Sequence, residues 1–282
     1  MFTFKRLPAA LLSLMFLVTF CAAWHATTRP EPPDPELAGL DPEYLELLGA
    51  SAKGETNPMP GPLEVGQKVW EHVKDPFYYA GANDRGIGSQ LLFSLWRVAQ
   101  GYFLALLVAV PLGFLIGMSP LLSNALDPFI QILKPVSPLA WMPLALYTIK
   151  DSEDSSIFVI FICAIWPVLI NTVFGVASVR KDYLNVAKTL EAGRFRTAFF
   201  VILPAAAPTI LTGMRISIGI AWLVIVAAEM LVGGTGIGYF VWNEWNNLDI
   251  TNVIVAILFI GAIGMVLDWM LAGLTRTVTY AE

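Results

Sequence analysis

Six long apolar runs constrain this chain more than any other feature. They cover roughly residues 7–24, 91–118, 121–147, 157–179, 203–232 and 253–274. Each is at least as long as the ~18 residues a helix needs to cross a ~30 Å hydrocarbon layer at ~1.5 Å per residue. Composition agrees, with 56% of the 282 residues apolar and only 14% charged. The expected fold class is an all-α polytopic membrane protein with about six transmembrane helices.

The net charge of −5 belongs to one segment. Residues 25–88 hold eleven acidic residues against five basic ones, a local balance of −6 that leaves +1 for the rest. Lysine and arginine in short flanking segments set orientation. Lys5 and Arg6 precede the first run, five basic residues from Arg180 to Arg196 separate the fourth from the fifth, and Arg276 follows the sixth. These segments are expected inside, with both termini cytoplasmic, and 25–88, 148–156 and 233–252 outside. The first run also has a signal-peptide-like layout, but it exceeds the usual ~7–15 residue apolar core of such peptides, which favours a retained helix. Either way residue 25 emerges outside.

The expected organisation is a first transmembrane helix at 1–24, an external loop at 25–88, a five-helix core at 89–275 and a tail at 276–282. A cytoplasmic loop at 180–204 lies within the core. The external loop contains nine of the nineteen prolines, including Pro30, Pro32, Pro33 and Pro35, so its first part is expected to be extended. After Gly61-Pro62, the spacing of Val65, Val69, Trp70 and Val73 predicts a short amphipathic surface helix.

The third run carries Lys134-Pro135, Ser137-Pro138 and Met142-Pro143. Each proline removes a backbone donor and disfavours helix for the residue before it. Irregular backbone at membrane depth is tolerated only where protein buries it or a cavity borders it, so this segment is a candidate pathway wall. Gly113 and Gly117 in the second run permit close helix approach.

Several chemistries are excluded. GGTGIG at Gly233–Gly238 lacks the lysine of a phosphate-binding loop, and the only histidines, His25 and His72, sit in the external segment without metal-protease or triad spacing. Cys21 and Cys163 are far apart within apolar runs and suggest neither a disulfide framework nor a metal knuckle. No basic patch with interleaved aromatics invites nucleic acid. The chain reads as no enzyme, with no cofactor of its own. Ionisable residues within the runs are few: Lys134, Arg215, Glu229 and Asp268, with Arg97 and Asp127 nearer the ends. Lys134 and Arg215 can supply a positive field for a crossing anion, or pair structurally with Glu229 or Asp268. Glu229 reads as a packing or gating contact, Trp141 as a pathway or packing aromatic, and Asn171 as an amide donor to an oxyanion or to a neighbouring helix.

Asn185–Pro208, NVAKTLEAGRFRTAFFVILPAAAP, is a polar and basic island between two apolar runs, read as one amphipathic helix of about twenty residues that touches a cytoplasmic partner. It resembles the cytoplasmic loop of permease subunits of ABC importers, in which E-A-A-x-x-x-G, nine variable positions and I-x-L-P dock on the ATPase. Ile202-Leu203-Pro204 and Ala187–Leu190 carry the match, while the pattern's Glu falls on Asn185 and its Gly on Glu191. The stretches Asp75–Tyr102, Lys134–Tyr147, Ile165–Val176 and Thr212–Asn247 are similar to the nitrate, sulfonate and bicarbonate branch, and within it to nitrate permeases.

This resemblance implies a type I importer permease fold in a bacterial inner membrane. It also implies a second copy of the permease, two cytoplasmic ATPase subunits that carry ATP and Mg, and a periplasmic substrate-binding protein. The implied cargo is nitrate, with nitrite beside it. The alternatives are bicarbonate, cyanate or a sulfonate, or a secondary anion carrier working alone. The implied coupling residues are Asn185, Ala187, Lys188, Glu191, Ala192, Gly193, Arg194, Arg196, Leu203 and Pro204. Lys134, Trp141, Asn171, Arg215 and Glu229 are the candidates for the pathway.

Overall fold

A computed structural model describes residues 6–29, 59–81 and 84–278. The prolines at 30–35 and most of the external acidic residues lie outside the described residues. The chain divides into two compact units: residues up to Pro76 with Glu244–Val255, and Phe77–Asn243 with Ala256 onward.

In the first unit, α1 (Arg6–Thr27) is apolar all round and α2 (Pro62–Lys74) is amphipathic. Pro62 opens α2, where its missing N–H costs nothing. Val65 and His72 are its buried side chains.

In the second unit, α3 (Ile87–Met118), α6 (Ser152–Ala177) and α9 (Leu203–Val232) form the core, with α6 packed closely on both of the others. Lipid supplies no hydrophobic force between helices, so close contact of small residues has to hold them. Gly101, Ala105, Ala109, Gly113 and Gly117 recur every fourth residue on α3 and provide that contact. A β-carbon at Gly113 would lie 2.7 Å from Thr172 Cβ, and one at Gly117 2.8 Å from Val176 Cβ. At the far end of α6 and the start of α9, Val176, Ile202, Ala206 and Ile210 form a buried apolar cluster.

The third apolar run is two helices, α4 (Pro120–Leu133) and α5 (Pro138–Ile149), bent by 92°. Pro135 and Pro138 account for the break, and Ser137 takes the extended backbone (ψ 137°) that a residue before proline favours. Pro143 does not contribute as expected from sequence; α5 continues through it to Ile149.

The island at 185–208 is not one helix. It comprises the end of α7 (Lys181–Thr189), a turn, α8 (Arg194–Thr197), a π-helical turn (Ala198–Ile202) and the start of α9. From Arg194 to Val232 the helical stretch is continuous over 39 residues. After the short α10 (Ile237–Asn246), α11 (Ile250–Val278) closes the chain. Among the described residues five helices are long and apolar enough to span a membrane, six if the bent α4–α5 pair counts as one span.

Candidate functional site

The α7–α8 segment presents the most open chemistry in the second unit. At the end of α7 the Glu191 N–H donates to Lys188 O and the Ala192 N–H to Ala187 O, both at 3.0 Å. This is a Schellman closure, whose last turn requires a left-handed residue. Glu191 occupies that position at φ 50°. It is the position at which the family pattern carries glycine, and the backbone geometry explains the glycine.

Between α7 and the α8–π segment lies a groove of about 740 Å³, bordered by Tyr183, Val186, Ala187, Leu190, Ala192, Arg196 and Phe200 among others. Leu190, Phe195 and Phe200 are 75%, 83% and 78% exposed, and Asn185, Lys188, Glu191, Gly193, Arg194, Arg196 and Pro204 also face outward. Bare aromatics ringed by basic groups suit an amphipathic partner surface. Two of the sequence-assigned coupling residues differ. Ala187 is buried, and Leu203 packs with Leu184 against the Val176–Ile202–Ala206–Ile210 cluster. They anchor the segment rather than present it. Pro204 has no N–H for the carbonyl four residues earlier; just before it, the Leu203 N–H reaches back to Ala198 O, which produces the π turn.

The exposed aromatics were missed by charge-based reading, although the run RFRTAFF at Arg194–Phe200 was the available signal.

At the α4–α5 break, Lys134 is exposed and borders a pocket of about 250 Å³ with Val136, Pro138, Cys163, Trp166, Pro167, Ile170 and Ile220. Trp141 and Asn171 are half-buried and do not border it. The Asn171 amide donates to Pro167 O at 2.8 Å, a bond back along its own helix to a carbonyl four residues earlier. Arg215 forms a two-point pair with Asp268, Nε to Oδ1 at 2.5 Å and a terminal nitrogen to Oδ2 at 2.6 Å. Its charge is thereby matched, as the structural alternative foresaw.

Glu229 takes the packing side of its two sequence readings. It is 1% exposed, and its carboxylate accepts from Ser94 Oγ at 2.8–2.9 Å, Arg97 at 2.9 Å and the Gly238 N–H at 3.0 Å. Arg97 also donates to Thr235 O and stands 3.8 Å from Glu153. Gln90 Oε1 accepts from the Gly236 N–H and Ser94 Oγ from the Ile237 N–H. Gly236 has φ 141°, and a β-carbon there would collide with the Glu229 carboxyl. Glu229 thus fastens the glycine-rich turn after α9 to α3. Sequence reasoning missed Arg97 as its partner, although Gln90, Ser94 and Arg97 follow the i, i+4, i+7 spacing of one helix face. Among the described residues no group of His, Cys, Asp and Glu could hold a metal ion.

Comparison with known proteins places this geometry. Residues 109–280 match the family described as binding-protein-dependent transport system inner membrane component. The nitrate import permease protein NrtB of Synechocystis sp. is 44% identical over 229 residues, 81% of this chain and 83% of the relative. That of Leptolyngbya laminosa is 47% identical over 207 residues, 73% and 74% respectively. A bicarbonate transport system permease protein, CmpB of Synechocystis sp., is 44% identical over 222 residues, 78% and 79%. In structure, an inward-facing MetNI methionine ABC transporter chain superimposes with a TM-score of 0.60 at 14% identity, covering 67% of this chain and 94% of that one. The chain therefore belongs to the family of binding-protein-dependent transport system inner membrane components, and is a multi-pass membrane protein with the permease fold of type I ABC importers.

Proposed function

We propose that this chain is the membrane permease of an ATP-driven importer for a small inorganic anion, and that the anion is nitrate. The observation that carries the reading is 44–47% identity, over roughly three quarters of the chain or more, to two nitrate import permeases. Two copies form the pathway, with both termini and the α7–α8 segment in the cytoplasm and residues 25–88 outside. Two ATPase subunits, which hold ATP and Mg, dock on the groove: Phe195 and Phe200 enter apolar hollows, and Lys188, Arg194 and Arg196 meet acidic groups. The permease itself holds no cofactor. A periplasmic binding protein delivers the anion from the other side.

The continuous stretch from α8 into α9 supports a lever. Movement of the docked α8 is carried through the Ile202–Leu203 anchor into the core, which alternates its opening. Lys134, at the α4–α5 break, attracts the anion, and Trp141 and Asn171 flank its route.

Bicarbonate is the second reading, favoured by 44% identity to a bicarbonate permease. Reconstitution with the ATPase and binding protein in liposomes separates the two. Nitrate-loaded binding protein is expected to stimulate ATP hydrolysis and uptake, and Lys134→Gln to reduce uptake without loss of assembly. Stimulation by bicarbonate alone overturns the nitrate assignment. Uptake that persists without ATP overturns the ABC reading.

A further inference from the structure

Helix α2 has three faces, and one of them has no partner among the described residues. At ~100° per residue, Val65, Val69 and His72 fall within an arc of ~60°, and Val65 and His72 are buried. Glu64, Gln67, Lys68 and Glu71 form a polar arc beside it. Leu63, Trp70 and Val73 share a third arc of ~80°, yet they are 72%, 60% and 48% exposed. Water on both of the outer arcs does not explain an apolar stripe on one of them.

The inner arc fixes the level at which α2 lies. Just before the helix, Pro60 O accepts from the Trp24 indole at 3.1 Å, in the last turn of α1. Glu64 accepts from Thr251 at 2.9 Å, in the first turn of α11. His72 Nε2 stands 2.9 Å from Asn252 Oδ1. The Asn252 amide nitrogen donates to Glu244 and Asp249, so the Asn252 oxygen accepts and the histidine donates. Helix α2 is therefore fastened where one membrane span ends and another begins. The α1 span is 0% buried and the α11 span 11% buried over their most apolar windows, so the described residues cover little of either. The apolar stripe of α2 is likewise left uncovered by the described residues.

We infer that α2 is an interfacial helix whose Leu63–Trp70–Val73 stripe is seated in the bilayer, at the boundary between headgroups and acyl chains. Tryptophan favours this depth because its ring is apolar and its N–H polar. Lys74, 5.7 Å above the Trp70 ring, extends its ammonium towards lipid phosphates in the manner of a snorkelling anchor. The polar arc faces water. The seat holds the α1 end and the start of α11 at one membrane level.

Spin-label accessibility tests this in the full chain, reconstituted in nanodiscs of phosphatidylethanolamine and phosphatidylglycerol. With Cys21→Ser and Cys163→Ala as background, single cysteines at 63, 67, 70, 71 and 73 are labelled. Oxygen is expected to outcompete a water-soluble nickel chelate at 63, 70 and 73, giving positive depth parameters, with the reverse at 67 and 71. Negative depth parameters at all five positions, or labels at 63, 70 and 73 shielded from both reagents by a second protein surface, overturn the inference. A second measurement leaves both native cysteines in place. The emission lost in Trp70→Phe is expected to be quenched by brominated lipid in the native chain; quenching of that difference by iodide alone overturns the proposal.

Discussion

Truncating Glu229 while leaving Arg97 in place isolates a buried ion pair of the core. Three donors reach the carboxylate, from Ser94, Arg97 and Gly238. Hydrogen bonds inside membrane proteins average about 0.6 kcal/mol each, so as hydrogen bonds alone they total about 2 kcal/mol. Arg97, with its side chain 10% exposed, would keep the Thr235 carbonyl as an acceptor but would have only Glu153, at 3.8 Å and with its side chain 55% exposed, as a counter-charge. A pair of that kind contributes about 0–1 kcal/mol. Breaking a buried ion pair from one side costs about 3–5 kcal/mol, so the stranded guanidinium outweighs the lost hydrogen bonds.

Glu229→Ala is therefore expected to destabilise the chain by about 3–5 kcal/mol. Arg97→Met should cost less, because Ser94 and Gly238 still serve the carboxylate. The double variant should fall well short of the sum, with a coupling of about 2 kcal/mol or more. Equilibrium unfolding in mixed micelles of rising SDS fraction, followed by circular dichroism, measures all four species. Additive costs, or a loss below about 1 kcal/mol for Glu229→Ala, would refute the idea that charge compensation dominates this cluster.

Three further outcomes are expected. Gly113→Leu forces α3 away from Thr172 on α6 and should cost about 1–3 kcal/mol, whereas Leu112→Ala on the exposed face should leave the thermal midpoint nearly unchanged; equal effects would count against the close-packed stripe. Glu191→Gly relieves a left-handed penalty of about 1–2 kcal/mol against a glycine entropy cost of about 0.5–1 kcal/mol, so thermal midpoints should rank Gly above Glu, with Glu191→Val lowest. Asp268→Asn should lower the yield of monodisperse protein on size exclusion, and the swap Arg215→Asp with Asp268→Arg should recover it; a swap no better than the single change would show that the pair's geometry contributes nothing.

The residues that sequence read well are those whose behaviour is local. Spanning runs follow from hydrocarbon thickness, and the α4–α5 break from Pro135 and Pro138, because a missing N–H acts on its own turn. The Gly113–Gly117 spacing announced close approach, without naming Thr172 and Val176 as the neighbours. Of the proposed sites, the exposure of Lys188, Arg194 and Arg196 agrees with a charged loop. The inward turn of Ala187 and Leu203 was hidden, since an apolar residue beside an island reads equally as anchor or contact.

The sequence alone determined that this chain crosses a membrane several times and carries few charges within the crossings. Charge pairing was decided only by the tertiary structure. Arg97 and Glu229 lie 132 residues apart and Arg215 and Asp268 lie 53 apart, so helical periodicity assigns each a face but not the face it meets. The same holds for Glu191, whose left-handed backbone exists only because α7 stops there, and for α2. Sequence spacing put Val65, Val69, Trp70 and Val73 on one apolar face, whereas the fold buries Val65 and leaves Trp70 and Val73 exposed with Leu63; the level of α2 beside the ends of two spans appears only once Trp24, Thr251 and Asn252 are brought to it.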